Sequence, residues 1–315
     1  MEDFFLPGSS VVRWGHEAAL ARAAGQPLVA LESSVLAQGL PQPHNAEALA
    51  RMRAAVATSG SLAVVLAVLS GVATIGAEDA DLQRFLVAGA VAKAAARDLA
   101  LAVASGADAA TTVSGSLTLM RRVGLRVLAT GGIGGVHRGG GYDESADLVE
   151  LARTPAIVVC SGAKSLVDLG ATLERLETLG VAVVGYRTSE FPGFFYSDTG
   201  LTLAQRVEHP AEVARIFLAM RELGSEAALL IVQPPPERVA LRRDVVENAV
   251  RVALREAEEH GIGGPRLTPF VLAAVERETG GRSLTANLAL LEANAALAGA
   301  IAATIAGRAH SIVLE

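Results

Sequence analysis

An α/β fold is what the amino-acid sequence predicts, as one extended domain over residues 1–315, and three observations carry that expectation. Short apolar runs such as LVALES (28–33), LRVLAT (125–130), AIVVC (156–160), VAVVGY (181–186) and AALLIV (227–232) alternate with segments of helical period that end at glycines. Apolar residues make up 51% of the chain and aromatic ones only 4%, enough to fill a large core with Val, Leu and Ala. Glycine-rich turns follow two of these runs, at 130–141 and 161–164, and open α/β sheets bind ligands at such strand ends.

Composition narrows the function classes. A formal charge of −6 with no basic block argues against a nucleic-acid polymer or an anionic membrane as partner. The single cysteine, Cys160, rules out an internal disulfide framework, suits a reducing, cytoplasmic setting, and reads as a buried strand residue. MEDFFLPGSS is acidic where a signal peptide is basic. The apolar stretch 62–75 is interrupted by Ser70-Gly71 and falls short of the roughly 20 residues that span a bilayer, so a soluble protein with no membrane partner is expected.

Along the chain, residues 11–24 have a helical pattern closed by Gly25, and the strand 28–33 puts Glu32 at its carboxyl end. A Gly/Pro-rich loop leads to a helix from Asn45 to Gly60, and 62–69 with 72–75 reads as a hairpin turning at Ser70-Gly71. A short helix spans 79–86, while the alanine-rich text around Lys93 permits helix without requiring it. Thr111, Thr112, Ser114 and Ser116 precede the next helix, where hydroxyls either hold a phosphate or act as ordinary caps. GGIGG lacks dinucleotide spacing, because His137 stands where the third glycine belongs, although the turn suits a smaller ligand.

After AIVVC comes SGAK, with Ser165 read as the N-cap of a helix to Leu179 that closes at Gly180. That places Lys164 against a positive helix end, where dipole and burial favour a neutral, nucleophilic amine; the alternative is an exposed surface lysine. SEFPGFFYSDTG is equally a cover for a planar ligand, a buried plug or a subunit contact. His209-Pro210 opens a helix to Leu223, QPPPE ends the strand 227–232, and 241–260 is a charged amphipathic helix. Two C-terminal helices are separated by Gly280-Gly281. In the second, Asn287 and Asn294 share nearly one face, where a buried amide needs a ligand or a neighbouring carbonyl, and the small residues suit close helix packing or an oligomer contact.

ALESS, Lys93…Arg97-Asp98, ATTV, ATGGIGGVHRG, SADL, VVCSGAKS, GYRTSEFPGFFY and TPF…TGGRSLTANLALL stand in the order found in pseudouridine-5′-phosphate glycosidases, and the chain resembles that family over residues 28–306. The resemblance implies a three-layer α/β/α fold with a central mixed sheet and a homotrimer. It implies that Lys164 attacks the anomeric carbon of ribose 5-phosphate, opens the ring and holds it as a Schiff base, with Glu32 as proton donor. Substrate contacts would come from Lys93, Thr111, Thr112, Val113, Thr130, His137, Ser145, Ala146, Asp147 and Asn287. Asp143 would bind a divalent metal, Mn²⁺ or Mg²⁺, since one aspartate leaves most positions to water.

An imine-forming amine suits a C-glycoside, because its nitrogen lone pair can expel a carbon leaving group, and the iminium so formed is the electron sink for the reverse reaction, neither of which two carboxylates alone supply. Departures cluster elsewhere: a shorter segment with Gly139 to Gly141 in place of acidic residues, Gln38 for histidine, Glu144 for an aliphatic residue, and Gln233-Pro234-Pro235 for Asn-Pro-Ile. They bear on the aglycone more than on the sugar. Uracil is the default, and the alternative is a C-glycosynthase joining ribose 5-phosphate to an aromatic natural-product aglycone. A non-catalytic phosphosugar-binding protein or a Schiff-base aldolase accounts less well for Lys164 together with Glu32.

Overall fold

Apolar runs one strand in length, each followed by a polar or glycine turn, build the centre of the molecule. The computed structural model describes residues 11–312 apart from 88, 90 and 139–142. Its strands are β1 (Val12–Trp14), β2 (Leu28–Glu32), β3 (Leu62–Leu69), β4 (Val72–Ile75), β5 (Ala92–Ala94), β6 (Ala109–Thr111), β7 (Val127–Ala129), β8 (Val136–His137), β9 (Ile157–Cys160), β10 (Val167–Asp168), β11 (Ala182–Tyr186), β12 (Arg206–Val207) and β13 (Leu229–Val232). The helices are α1 (His16–Ala23), α2 (His44–Ala57), α3 (Asp79–Leu82), α4 (Leu99–Ala104), α5 (Val113–Val123), α6 (Ala146–Ala152), α7 (Leu169–Thr178), α8 (Pro210–Glu222), α9 (Arg243–Glu259), α10 (Leu267–Glu278) and α11 (Arg282–Ile312).

Among the described residues, one sheet runs in the order β1-β4-β3-β2-β7-β9-β13-β11-β12, with β6 on β3 and β5 on β6. Only β3 pairs antiparallel with its neighbours β4 and β6, so the sheet is mixed and mostly parallel. α11 crosses β2, β7 and β9 with α2 and α8 beside it, and α5, α6 and α7 form the opposite layer. This is the expected three-layer α/β/α fold. β2 pairs with β3 on one side and with β7 on the other, so the strand order reverses at β2, where such sheets open a crevice at the strands' carboxyl ends.

Small residues let α11 lie close to α2. A Cβ at Gly299 would sit 2.9 Å from the Val56 carbonyl oxygen, and Ser61 donates to the Gly299 carbonyl at 2.9 Å. Residues Arg282–Gly307 are long and apolar enough to cross a membrane, but 61% of their apolar window is buried inside the fold, which makes α11 a core helix. Its small residues therefore serve close packing.

Three local expectations need correction or completion. Residues 12–14 are a strand, because Val12 to Trp14 pair in parallel with Ala73 to Ile75, and the helix starts only at His16. Gly15 makes the break: its N–H reaches the Ile75 carbonyl at 2.8 Å. Lys93 lies in a strand opposite Ala110, since pairing with β6 overrides the helical propensity of its alanines. The helix expected from Ser165 begins at Leu169, because Asp168 caps it by accepting from the Ala171 N–H at 2.9 Å. Lys164 is thus not at a helix end, and the dipole argument for its amine fails.

What shapes the Lys164 turn instead is Gly162, with φ +78° and a virtual Cβ 2.0 Å from the Pro192 carbonyl oxygen. Gly162→Ala is expected to cost about 2–3 kcal/mol of stability, through a left-handed conformation and a backbone clash that no rotamer relieves. Urea unfolding monitored by the single tryptophan, Trp14, measures it.

Candidate active site

The crevice at the β2–β7 switch brings together the reactive side chains expected from the sequence. Leu31 lies opposite Ala129, so the next residues, Glu32 and Thr130, leave the sheet side by side. The Thr130 hydroxyl donates to Glu32 Oε1 and the Ser34 hydroxyl donates to Oε2 at 2.7 Å, which fixes a carboxyl group only 4% exposed. From the neighbouring strand β9 the chain runs through Ser161 to Lys164, whose N–H donates to the Ile133 carbonyl at 2.9 Å. Arg138 braces the far side of this turn. Its guanidinium donates to the carbonyls of Ser165 (2.9 Å) and Val167 (3.1 Å) while pairing with both oxygens of Glu247, which also accepts from the Tyr196 hydroxyl at 2.6 Å.

Three adjoining compartments form the cleft. The middle one is lined by Glu32, Ser34, Lys93, Lys164, Phe194 and Asn287. Lys93, Lys164 and Thr268 are shared with a polar compartment that adds Arg97, Thr112, Ser114, His137 and Ser145 to Asp147. On the other side Gln38, Gly39, Pro269, Leu272 and Asn287 are shared with a more apolar compartment reaching Leu40, Phe195 and Leu284. The lysines therefore stand between a basic, hydroxyl-rich end and an apolar end.

The polar compartment suits a phosphate. α5 starts there, with Thr112 as its cap, and Lys93 and Arg97 supply positive charge. Its two acids are already engaged: Asp98 accepts from the Ala95 N–H at 3.0 Å, and Asp147 accepts from the Ser114 and Gly134 N–H groups at 2.8 Å each. Asp147 thereby ties the GGIGG turn to the start of α5. Burial lowers the Lys93 pKa, reinforced by the charge of Lys164 and opposed by Glu32 and Asp147. Since the folded protein holds that proton less tightly than the unfolded chain, charge on Lys93 opposes folding at neutral pH, and the penalty fades as pH rises towards the unfolded value of about 10.5. Lys93→Met is expected to raise the melting temperature at pH 7, with the gain shrinking by about pH 10; thermal melts across that range check it.

Of the residues expected from the sequence, Glu32, Lys93, Lys164, Thr112, His137, Ser145, Ala146, Asp147 and Asn287 line the cleft. Thr130 stands behind Glu32. Thr111 and Val113 are fully buried; the Thr111 hydroxyl donates to the Leu66 carbonyl at 2.8 Å and accepts from Ser116, so its side chain secures β6 to β3. Asp143 lies at the rim, its side chain 71% exposed, with Oδ2 2.7 Å from His137 Nδ1. The glycines 139–141 fall outside the described residues.

Asn294 finds the carbonyl partner open to it: its amide donates to Thr130 O at 2.8 Å and its oxygen accepts from Gln233 at 2.8 Å. Asn287 has no such partner among the described residues. The aromatic loop is chiefly a plug, with Phe191, Phe194, Phe195 and Tyr196 at most 3% exposed, although Phe194 also lines the middle compartment against Gly132. Burial pushes the Cys160 thiol up to about 12, in keeping with an inert strand residue. Ser34 and Thr268 were not singled out from the sequence; the only signal for Ser34 was its place in ALESS, two residues beyond Glu32.

The family model described as indigoidine synthase A like protein matches residues 17–304. A pseudouridine-5′-phosphate glycosidase of Gemmatimonas aurantiaca is 57% identical over 89% of this chain and 92% of its own, and one of Herpetosiphon aurantiacus is 44% identical over 92% and 96%. Among solved structures, an indigoidine synthase A-like protein of Thermotoga maritima superposes with a TM-score of 0.85 at 37% identity, covering 94% and 96% of the two chains. The prealnumycin C-glycosynthase AlnA, in complex with ribulose 5-phosphate, superposes with a TM-score of 0.88 at 32% identity, covering 96% and 99%. With a family model spanning nearly the whole sequence and relatives matching over about nine-tenths of it, the chain belongs to the indigoidine synthase A-like family.

Proposed function

We propose that the protein makes and breaks the C–C glycosidic bond between ribose 5-phosphate and a planar aglycone, by default uracil, so that pseudouridine 5′-phosphate is its glycoside. The observation that carries this reading is the convergence of Lys164 and the buried carboxyl of Glu32 on one compartment, with a basic, hydroxyl-rich end beside it. Names of relatives support it, as does AlnA holding a pentulose phosphate.

In the cleavage direction, the Lys164 amine displaces the ring oxygen at the anomeric carbon, and Glu32 gives that oxygen its proton. The Glu32 carboxylate then takes a proton from the new C–N nitrogen, whose lone pair forms the iminium as the bond to the base breaks. The electron pair goes to the base carbon, which Glu32 reprotonates, and water hydrolyses the iminium to free Lys164 and ribose 5-phosphate. Synthesis is the same path reversed. Lys93 sits beside the phosphate end, so its charge offsets that of the ester.

Asp143 fits a divalent cation of the hard, water-retaining kind. Among the described residues no cluster of three acidic, His or Cys side chains exists, which excludes a closed zinc cage from them. An exposed carboxylate backed by His137 suits Mn²⁺ or Mg²⁺ that draws its other ligands from water and substrate. When bound it would supply positive charge near the sugar phosphate. The reading carries a cytoplasmic homotrimer with it.

A second reading, C-glycosynthesis onto a larger aromatic ring, draws support from the apolar compartment beyond Asn287 and from the resemblance to AlnA. Turnover of pseudouridine 5′-phosphate to uracil, and condensation of ribose 5-phosphate with uracil, each with and without Mn²⁺, tests the first reading. Metal-stimulated turnover in either direction is expected. Absence of both, with sugar adduct still forming, would transfer support to the second.

A further inference from the structure

Gln38 holds an anomaly. Its side-chain oxygen is the one buried side-chain polar atom without a hydrogen-bond partner among the described residues. Its amide nitrogen donates to the Val91 carbonyl at 3.2 Å, and since a carbonyl only accepts, that bond assigns nitrogen and oxygen and leaves the oxygen as the unpaired end. The backbone here is fixed: the wide turn Val35–Gly39 is held by the Asn45 amide on the Leu36 carbonyl at 3.0 Å. A buried acceptor on a rigid turn is costly unless a ligand supplies the donor.

Its place in the cleft says which ligand. Gln38 and Asn287 line both the middle and the apolar compartments, but not the polar one. The sugar carbon must meet Lys164 with its phosphate towards the polar end, so these two amides face the aglycone. A uracil bonded through C5 carries N1–H, C2=O and N3–H on its far edge, in the sequence donor, acceptor, donor. Gln38 contributes an acceptor, and the unpartnered Asn287 amide contributes donors and a second acceptor.

We infer that Gln38 determines aglycone specificity, its side-chain oxygen accepting a ring N–H so that, with Asn287, it selects an imide-like heterocycle over a carbocyclic aromatic ring. The inference rests on the reading above and names the aglycone class within it. Gln38→Met removes the acceptor at similar volume, and Gln38→Glu keeps one.

The test measures kcat/KM for condensation of ribose 5-phosphate with uracil, 1-methyluracil and 3-methyluracil by the wild type and both variants, with borohydride trapping at Lys164 in the same samples as a check on folding. The wild type should prefer uracil over one methyl isomer by about 10- to 100-fold, Gln38→Met should reduce that gap to below about 3-fold, and Gln38→Glu should retain most of it. A gap kept in Gln38→Met, or absent in the wild type, overturns the inference while uracil turnover leaves the proposed function standing. If Gln38→Met no longer forms the adduct, Gln38→Glu decides: a lost gap there overturns the role of the acceptor. Adduct formation without any uracil product in the wild type overturns the uracil reading and the inference together.

Discussion

Lys164→Ala should lower turnover by at least about 10⁴-fold and abolish covalent capture of ribose 5-phosphate, because no other group in the cleft can form the imine without rebuilding the site. Lys93 is the only other lysine, so a competing nucleophile would have to be that residue. It lines the same compartment, but stands in β5, which joins the sheet through β6 and β3, whereas Lys164 follows β9. Because the Lys164 backbone is held by Ile133 and the turn is braced by Arg138, truncating the side chain should leave the fold intact. Steady-state kinetics with circular dichroism on the same sample separates lost chemistry from lost structure.

Glu32→Gln should lower kcat by about 10²- to 10⁴-fold, the range for losing a positioned acid–base group, with little change in KM. The amide preserves shape. Its oxygen accepts from Thr130 and its NH₂ donates to Ser34, whose hydroxyl rotates to accept. In the proposed path, what is lost is the proton that passes in turn to the ring oxygen, from the nitrogen, and to the base carbon. An effect confined to KM would mean that Glu32 only binds.

Much of this was legible in the sequence, for physical reasons. Glu32 could be placed because a continuous apolar run buried on both faces must end where polarity begins, and LVALES ends there. Lys164 was placed beyond a strand end by the same logic. Its surroundings are ambiguous in the sequence, because Ser165 and Asp168 are both good caps and only the β8–β10 pairing, Val167 opposite His137, decides that the helix starts later. Thr111 shows the same limit: a hydroxyl before a helix looks alike whether it meets a phosphate or the Leu66 carbonyl. Pairing partners far apart in sequence made that choice, as they made Lys93 a strand residue and residues 12–14 an edge strand. The orphaned oxygen of Gln38 had no sequence signal beyond the departure from histidine, since burial without a partner exists only in three dimensions.

The proposed catalysis turns on a covalent bond between Lys164 and the ring-opened sugar. Borohydride reduction of the protein with ribose 5-phosphate, followed by peptide mass mapping, measures it most directly. One pentose phosphate, linked as a secondary amine, is expected on the peptide containing Lys164, and none in Lys164→Ala. No adduct on the wild type, or an adduct that persists in Lys164→Ala, would contradict it.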